Sequence, residues 1–175
     1  MEDGLCILLF VLVIWLILYL LLEFNIVNNK RKDVRKLFLE MDSFFIKRLN
    51  ILSKMIDVIK AYDKNQFDDF GSNLYDYINN YKEFDYNKRL EINENINKEI
   101  KKVLLVRKVY PELDENIKYV KLEKQLVRVN KVISKLQIKY NRALKVYLNR
   151  RKVFPSELIC IICRFYSYNY FNLKK

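Results

Sequence analysis

The sequence contains no histidine and no threonine, and only two glycines and two prolines. Without histidine there is no Ser-His triad, no Cys-His pair and no H-E-x-x-H zinc helix. Two glycines cannot build a phosphate-cradling loop or a dinucleotide fingerprint. So few turn formers also argue against a sheet protein and for an all-α chain. Cysteine is scarce as well: Cys6 stands alone, and Cys160 and Cys163 form a C-x-x-C. Zinc needs four ligands, and there is no second pair to supply them. In the setting LICIIC each cysteine reads as a small apolar residue. The sequence therefore indicates no reaction, no cofactor, no metal and no small-molecule substrate, and the expectation is a protein that is not an enzyme.

Charge is missing from one long stretch. Residues 4–22 read GLCILLFVLVIWLILYLLL. At 1.5 Å per residue this run spans about 29 Å, close to the roughly 30 Å hydrocarbon core of a bilayer. A cleaved signal peptide has a basic start and a small-x-small cleavage site. Here the start carries Glu2 and Asp3, and the run ends in Leu22, Glu23 and Phe24. The expectation is an uncleaved transmembrane anchor over residues 1–23. A buried helix of a soluble fold is the competing reading, and the length and purity of the run count against it. Lys30, Arg31, Lys32, Arg35 and Lys36 follow the run, whereas no Lys or Arg precedes it. That asymmetry predicts an outside N-terminus and a cytoplasmic remainder at the cell membrane.

The formal charge is +12. Residues 1–22 carry only Glu2 and Asp3, so the remainder carries +14. Such an excess suits anionic partners: lipid head groups, nucleic acid or an acidic protein. The 24 Tyr and Phe residues recur at helical spacings. There they serve as core or interface residues rather than as a stacking platform, which disfavours nucleic acid.

Beyond the anchor the apolar residues recur in steps of three and four. The first helix continues from the anchor to about Tyr62, with Val34, Leu37, Phe38, Met41, Phe45, Leu49, Leu52, Ile56 and Ile59 on one face. A second is expected over about 65–84, with Phe67, Phe70, Leu74, Ile78 and Tyr81 inward and a kink at Gly71. A turn at Asp85–Asn87 leads to a third over about 88–109, carrying Ile92, Ile96, Ile100, Val103 and Leu104, which Pro111 stops. A fourth covers about 114–152, with Ile117, Val120, Val127, Ile138, Leu144 and Leu148 among its apolar positions, and Pro155 ends it. Short connections predict an antiparallel four-helix bundle over residues 24–155 with long first and last helices. A continuous coiled coil competes, but Pro111 and the turn near Asn87 count against it. Asp42 sits at helical spacing between Phe38 and Phe45, so it is expected to be buried and paired with a neighbouring helix.

Two stretches carry a resemblance. Residues 24–62, FNIVNNKRKDVRKLFLEMDSFFIKRLNILSKMIDVIKAY, and residues 140–171, YNRALKVYLNRRKVFPSELICIICRFYSYNYF, resemble the LemA family of bacterial membrane proteins. The matching positions include Phe24, Asn25, Phe38, Met41, Asp42, Arg48 and Tyr62, then Tyr140, Asn141, Ala143, Tyr147, Phe154, Pro155, Phe165, Tyr170 and Phe171. Tyr110–Leu113, YPEL, resembles that family's Y-P-x-L. The resemblance implies a membrane-anchored antiparallel helical bundle of unassigned biochemical activity. It marks Asn25, Asp42, Arg48, Tyr140 and Asn141 as candidate interaction or structural polar residues. Departures include Phe38 for a Trp, Asn50, Ser53 and Lys54 for Asp, Pro and Asn, and Leu148 for an Asn. In the tail, Arg164, Ser167 and Asn169 replace a Gly and two prolines.

With four alternating helices, the end of the fourth returns to the anchor. Arg150, Arg151 and Lys152 then join Lys30, Arg31 and Lys32 as a candidate membrane surface. The apolar and aromatic tail over 156–175 either lies in the membrane interface or covers the end of the bundle. The reading is a membrane-anchored interaction or scaffold module whose partners are the lipid bilayer and an unidentified protein. Binding of anionic lipid or nucleic acid through the basic surface is the alternative.

Overall fold

The computed structural model describes residues 2–62 and 68–172. Every regular element among them is helical: α1 Glu2–Ile59, α2 Asp68–Asn80, α3 Tyr86–Leu105, α4 Ile117–Arg151 and α5 Ser156–Ile162, with 3-10 turns at Val106–Lys108 and Pro111–Asp114. Phe67 and the side chains of Asp68, Asp69 and Phe70, which the sequence assigns to the second helix, lie outside the described residues.

α1 runs unbroken for 58 residues, because neither proline nor a run of turn formers interrupts it. Its character changes along its length. From Ile7 to Leu22 each side chain is 38–71% exposed, an apolar surface far larger than water-facing proteins present. Beyond it one stripe is buried: Val27, Val34, Phe38, Met41, Phe45, Leu49, Leu52, Met55, Ile56 and Ile59. Full burial of each such side chain stabilises by about 1.5–3 kcal/mol.

The helix boundaries follow local caps. α2 passes through Gly71 without a break and ends at Asn80, four residues earlier than the apolar pattern implied. One glycine costs a helix only about 1 kcal/mol relative to alanine, so the helix tolerates it. Asp85 is extended and its carboxylate accepts from the Lys88 N–H at 2.7 Å, so α3 starts at Tyr86. Asn116 caps α4 in the same way, accepting from the Tyr119 N–H at 3.0 Å. α4 stops at Arg151, and Pro155 immediately precedes α5. α5 closes with a Schellman turn: the Phe165 N–H donates to the Cys160 carbonyl and the Arg164 N–H to the Ile161 carbonyl. Arg164 occupies the left-handed position, φ 47°. Glycine, which the sequence lacks there, fits that position without strain.

The inner face of α4 departs from expectation. Ile117, Val127 and Ile138 are exposed, at 85, 55 and 70%. The buried stripe is Tyr119, Leu122, Leu126, Ile133, Leu136, Tyr140, Leu144 and Tyr147. Tyrosine decides this register: its ring supplies more buried apolar area than valine, and its hydroxyl reaches a carbonyl. Tyr119 donates to the Val103 carbonyl at 3.2 Å and Tyr147 to that of Tyr166 at 3.3 Å.

The chain falls into two compact units. One comprises Met1–Lys36 and Arg142–Ser167, and the other Leu37–Asn141 and Tyr168–Lys175.

Candidate functional site

In the larger unit the core of α1 carries two polar residues that hydrophobic packing alone would reject, Asp42 and Arg48, both buried. A buried charge persists only when it is hydrogen-bonded or paired. Asp42 accepts from the Tyr81 hydroxyl at 2.7 Å and from the Arg89 guanidinium at 2.8 Å. Arg89 also donates to the carbonyls of Phe84 and Lys82, both at 2.9 Å, so it fixes the α2–α3 turn to α1.

Arg89, Asn93 and Asn97 follow at four-residue steps, which puts them on one face of α3. The Asn93 amide donates to Tyr81 at 3.2 Å. Its side-chain and backbone oxygens accept from Arg48 at 2.6 and 2.9 Å, and the Asn97 side-chain oxygen accepts from Arg48 at 2.5 Å. The sequence singled out Asp42 and Arg48, and the structure links them through Tyr81 and Asn93.

The two arginines have different surroundings. Arg89 meets a carboxylate, whereas the hydrogen bonds of Arg48 go to neutral amides and a carbonyl. Burial pulls the Arg48 pKa down to about 10. Burial, and next the Asp42 carboxylate, push the Tyr81 hydroxyl well above the ordinary tyrosine value. Neither group exchanges protons near neutrality. The network fixes α3 against α1.

Tyr140 and Asn141 hold the C-terminal segment. The Tyr140 hydroxyl donates to the Asn169 carbonyl at 2.7 Å. Asn141 grips Phe171 at both ends, donating to its carbonyl at 2.7 Å and accepting from its N–H at 3.0 Å. Asn87 and Glu94 of α3 accept from the Asn169 and Asn172 N–H groups at 2.9 and 2.7 Å. The Phe171 ring is fully buried, 5.1 Å edge-on to Phe45, and Tyr168 stacks on Tyr86 at 5.8 Å. Residues 168–172 therefore pack on the helices of this unit.

The smaller unit holds the candidate membrane-surface residues. Glu23 directly follows the charge-free run and is buried, with its carboxylate accepting from Arg150 and, at 2.9 Å, from the Ser156 hydroxyl. A carboxylate at the end of an apolar run needs such neutralisation, yet Glu23 reads in the sequence only as the end of the run. Arg31 donates to Asn28 at 2.9 Å and lies 4.1 Å over the Phe165 ring. Lys30, Lys32 and Lys152 are exposed, Arg151 is half-buried, and Asn25 is exposed.

A feature that the sequence did not disclose is the outer face of α4. Lys121, Lys124, Arg128, Lys131, Lys135 and Lys139 recur in steps of three and four, all exposed and opposite the buried stripe. Glu123 is the single acidic residue in the whole helix. Exposed Ile117, Val127 and Ile138 flank the cationic line.

Among the described residues, no group of three or more His, Cys, Asp or Glu side chains is arranged to hold a metal ion. The model of the LemA family matches residues 38–175. No curated protein and no solved structure matches the chain.

Proposed function

The chain belongs to the LemA family, and from that premise we propose that it is a single-pass membrane protein presenting an antiparallel four-helix bundle as an interaction or scaffold module. The N-terminus lies outside, the bundle lies on the cytoplasmic side, and no catalysis is involved. Family membership supports membrane association. The exposed, charge-free run of α1 supports spanning. Lys30, Arg31 and Lys32 immediately beyond it support the orientation. With Arg151 and Lys152 they face anionic head groups, at about 1 kcal/mol per well-placed charge.

The observation that carries the interaction role is the one-sided charge of α4. Six cations on one exposed line, with a single acidic residue in the helix, form a surface for an acidic partner. The flanking exposed Ile117, Val127 and Ile138 favour a protein, which supplies apolar contacts that a phosphate backbone does not.

The test is site-specific photo-crosslinking from position 131 in intact membranes, followed by identification of the product. The expected product is an acidic protein, lost in the Lys124→Glu, Arg128→Glu, Lys135→Glu triple variant. A product that persists in that variant defeats the α4 assignment. Retention of duplex DNA with a steep salt slope by the purified protein would move the reading to nucleic acid. Topology is read from an engineered cysteine at exposed Lys108, in a background lacking Cys6, Cys160 and Cys163. Labelling from outside intact cells would reverse the orientation.

A further inference from the structure

The smaller unit contains an apolar surface that the anchor alone does not account for. α5, SELICII, turns Ile159 and Cys160 inward and leaves Leu158, Ile161 and Ile162 exposed at 50, 64 and 79%. Val153 and Phe154, in the turn before it, are exposed at 49 and 74%. Five large apolar side chains exposed within Val153–Ile162, three of them on α5, are not a water-facing pattern.

Their position gives the reason. Ile159, Ile162 and Cys163 form one wall of a wholly apolar groove of about 260 Å³, and Ile17, Leu20, Leu21 and Phe24 of α1 form the other. Three of those α1 residues belong to the charge-free run. α5 therefore lies beside the last turns of the run, at the depth where a spanning α1 leaves the hydrocarbon.

Polar groups mark the same boundary. Glu23, two residues beyond Leu21, is neutralised by Arg150 and Ser156, and Ser156 begins α5. Arg151, Lys152 and Arg164 flank α5 on its two sides in sequence, with Lys152 and Arg164 exposed. An apolar element bounded by cations is the arrangement of a segment lying in the membrane interface.

We propose that Val153–Ile162 is a second membrane contact. The exposed side chains of Leu158, Ile161 and Ile162 enter the leaflet nearest Glu23, and a phospholipid acyl chain occupies the groove between α5 and the last turns of the α1 run. The surface of α1 continues directly into that of α5, so one leaflet covers both. This inference rests on α1 spanning the bilayer, and its test separates the two.

The experiment uses the full chain in phospholipid nanodiscs, with a fluorophore on one cysteine in a background lacking Cys6 and Cys163. Labels replace Leu12, Ile162 or Lys131, all exposed, so none disturbs the core. Lipids carrying a nitroxide high or low on the acyl chain serve as quenchers.

Strong quenching is expected at position 162 by the high nitroxide, quenching at position 12 by the low one, and none at position 131. Quenching at 12 with none at 162 overturns the α5 proposal and leaves the anchor standing. No quenching at 12 overturns the anchor reading, and the α5 proposal with it. The groove has its own readout. In a background in which Phe replaces Trp15, Leu20→Trp should bring an indole into contact with lipid and be quenched several-fold more by nitroxide lipids than Leu52→Trp at a buried core position. Equal quenching at the two positions would refute chain occupancy of the groove.

Discussion

Asp42 and Tyr81 meet across a 2.7 Å hydrogen bond that ties the turn after α2 to the core of α1. With Arg89 on its other oxygen, the carboxylate is compensated from two directions. Asp42→Leu should cost about 3–5 kcal/mol, because it strands the Arg89 guanidinium against an apolar group. Asp76→Leu, at an exposed position, should change stability by about 0.5 kcal/mol or less. Denaturant unfolding of the full chain in detergent, followed by circular dichroism, measures both. Equal midpoints would mean that Asp42 is solvated.

Arg48 poses a different problem, since neutral partners cannot offset its buried charge. Arg48→Met should still destabilise, by about 2–5 kcal/mol, by leaving the Asn93 and Asn97 oxygens unpaired. Adding Asn93→Leu and Asn97→Leu should recover a large part of that loss, because replacing both amide side chains removes the oxygens left unpaired. A triple variant no more stable than Arg48→Met would show that the guanidinium itself is required.

The C-terminal segment should behave as core. Phe171→Ala should cost about 3–5 kcal/mol, as for other fully buried aromatic residues. Tyr140→Phe, which removes the hydroxyl that donates to Asn169, should cost about 0.5–1.5 kcal/mol. Unchanged unfolding of Phe171→Ala would place the segment in solvent.

Arg164 sits in the left-handed region at the end of α5. Relieving the clash of its Cβ should make Arg164→Gly more stable by about 1 kcal/mol, the lower end of the cost of that conformation. Arg164→Ala, which keeps the Cβ, should not gain. Thermal unfolding of the pair distinguishes backbone strain from loss of charge.

Alkaline pH should destabilise the protein through Tyr81. Its folded pKa is raised, chiefly by burial. Its contribution is therefore fully present below the ordinary tyrosine value of about 10 and is lost as pH rises above it. Arg48, pulled down to about 10, acts with the opposite sign, since deprotonation above that value removes a buried charge. The discriminating comparison is with Tyr81→Phe, whose stability should fall less between pH 9 and 11. Parallel pH profiles would exclude Tyr81 as the source.

The sequence by itself determined the helical class, the anchor-like run and the inner stripe of α1. In each case a period or a length suffices, because burial on one helix face requires steps of three and four. It also marked Asp42, since a carboxylate on an apolar stripe must find a partner. It could not name Tyr81 and Arg89, which lie 39 and 47 residues away. Only the tertiary structure decided the register of α4, where Tyr119, Tyr140 and Tyr147 displace Ile117, Val127 and Ile138 from the core. A tyrosine is core when a carbonyl stands within reach of its hydroxyl, and a one-dimensional pattern holds no record of that distance. The same limit hid the burial of Glu23, which depends on Arg150 and Ser156, and the packing of residues 168–172 against Tyr140 and Asn141. Pairings between distant segments are set by packing in three dimensions, so the polar partners emerge only after the apolar faces have met.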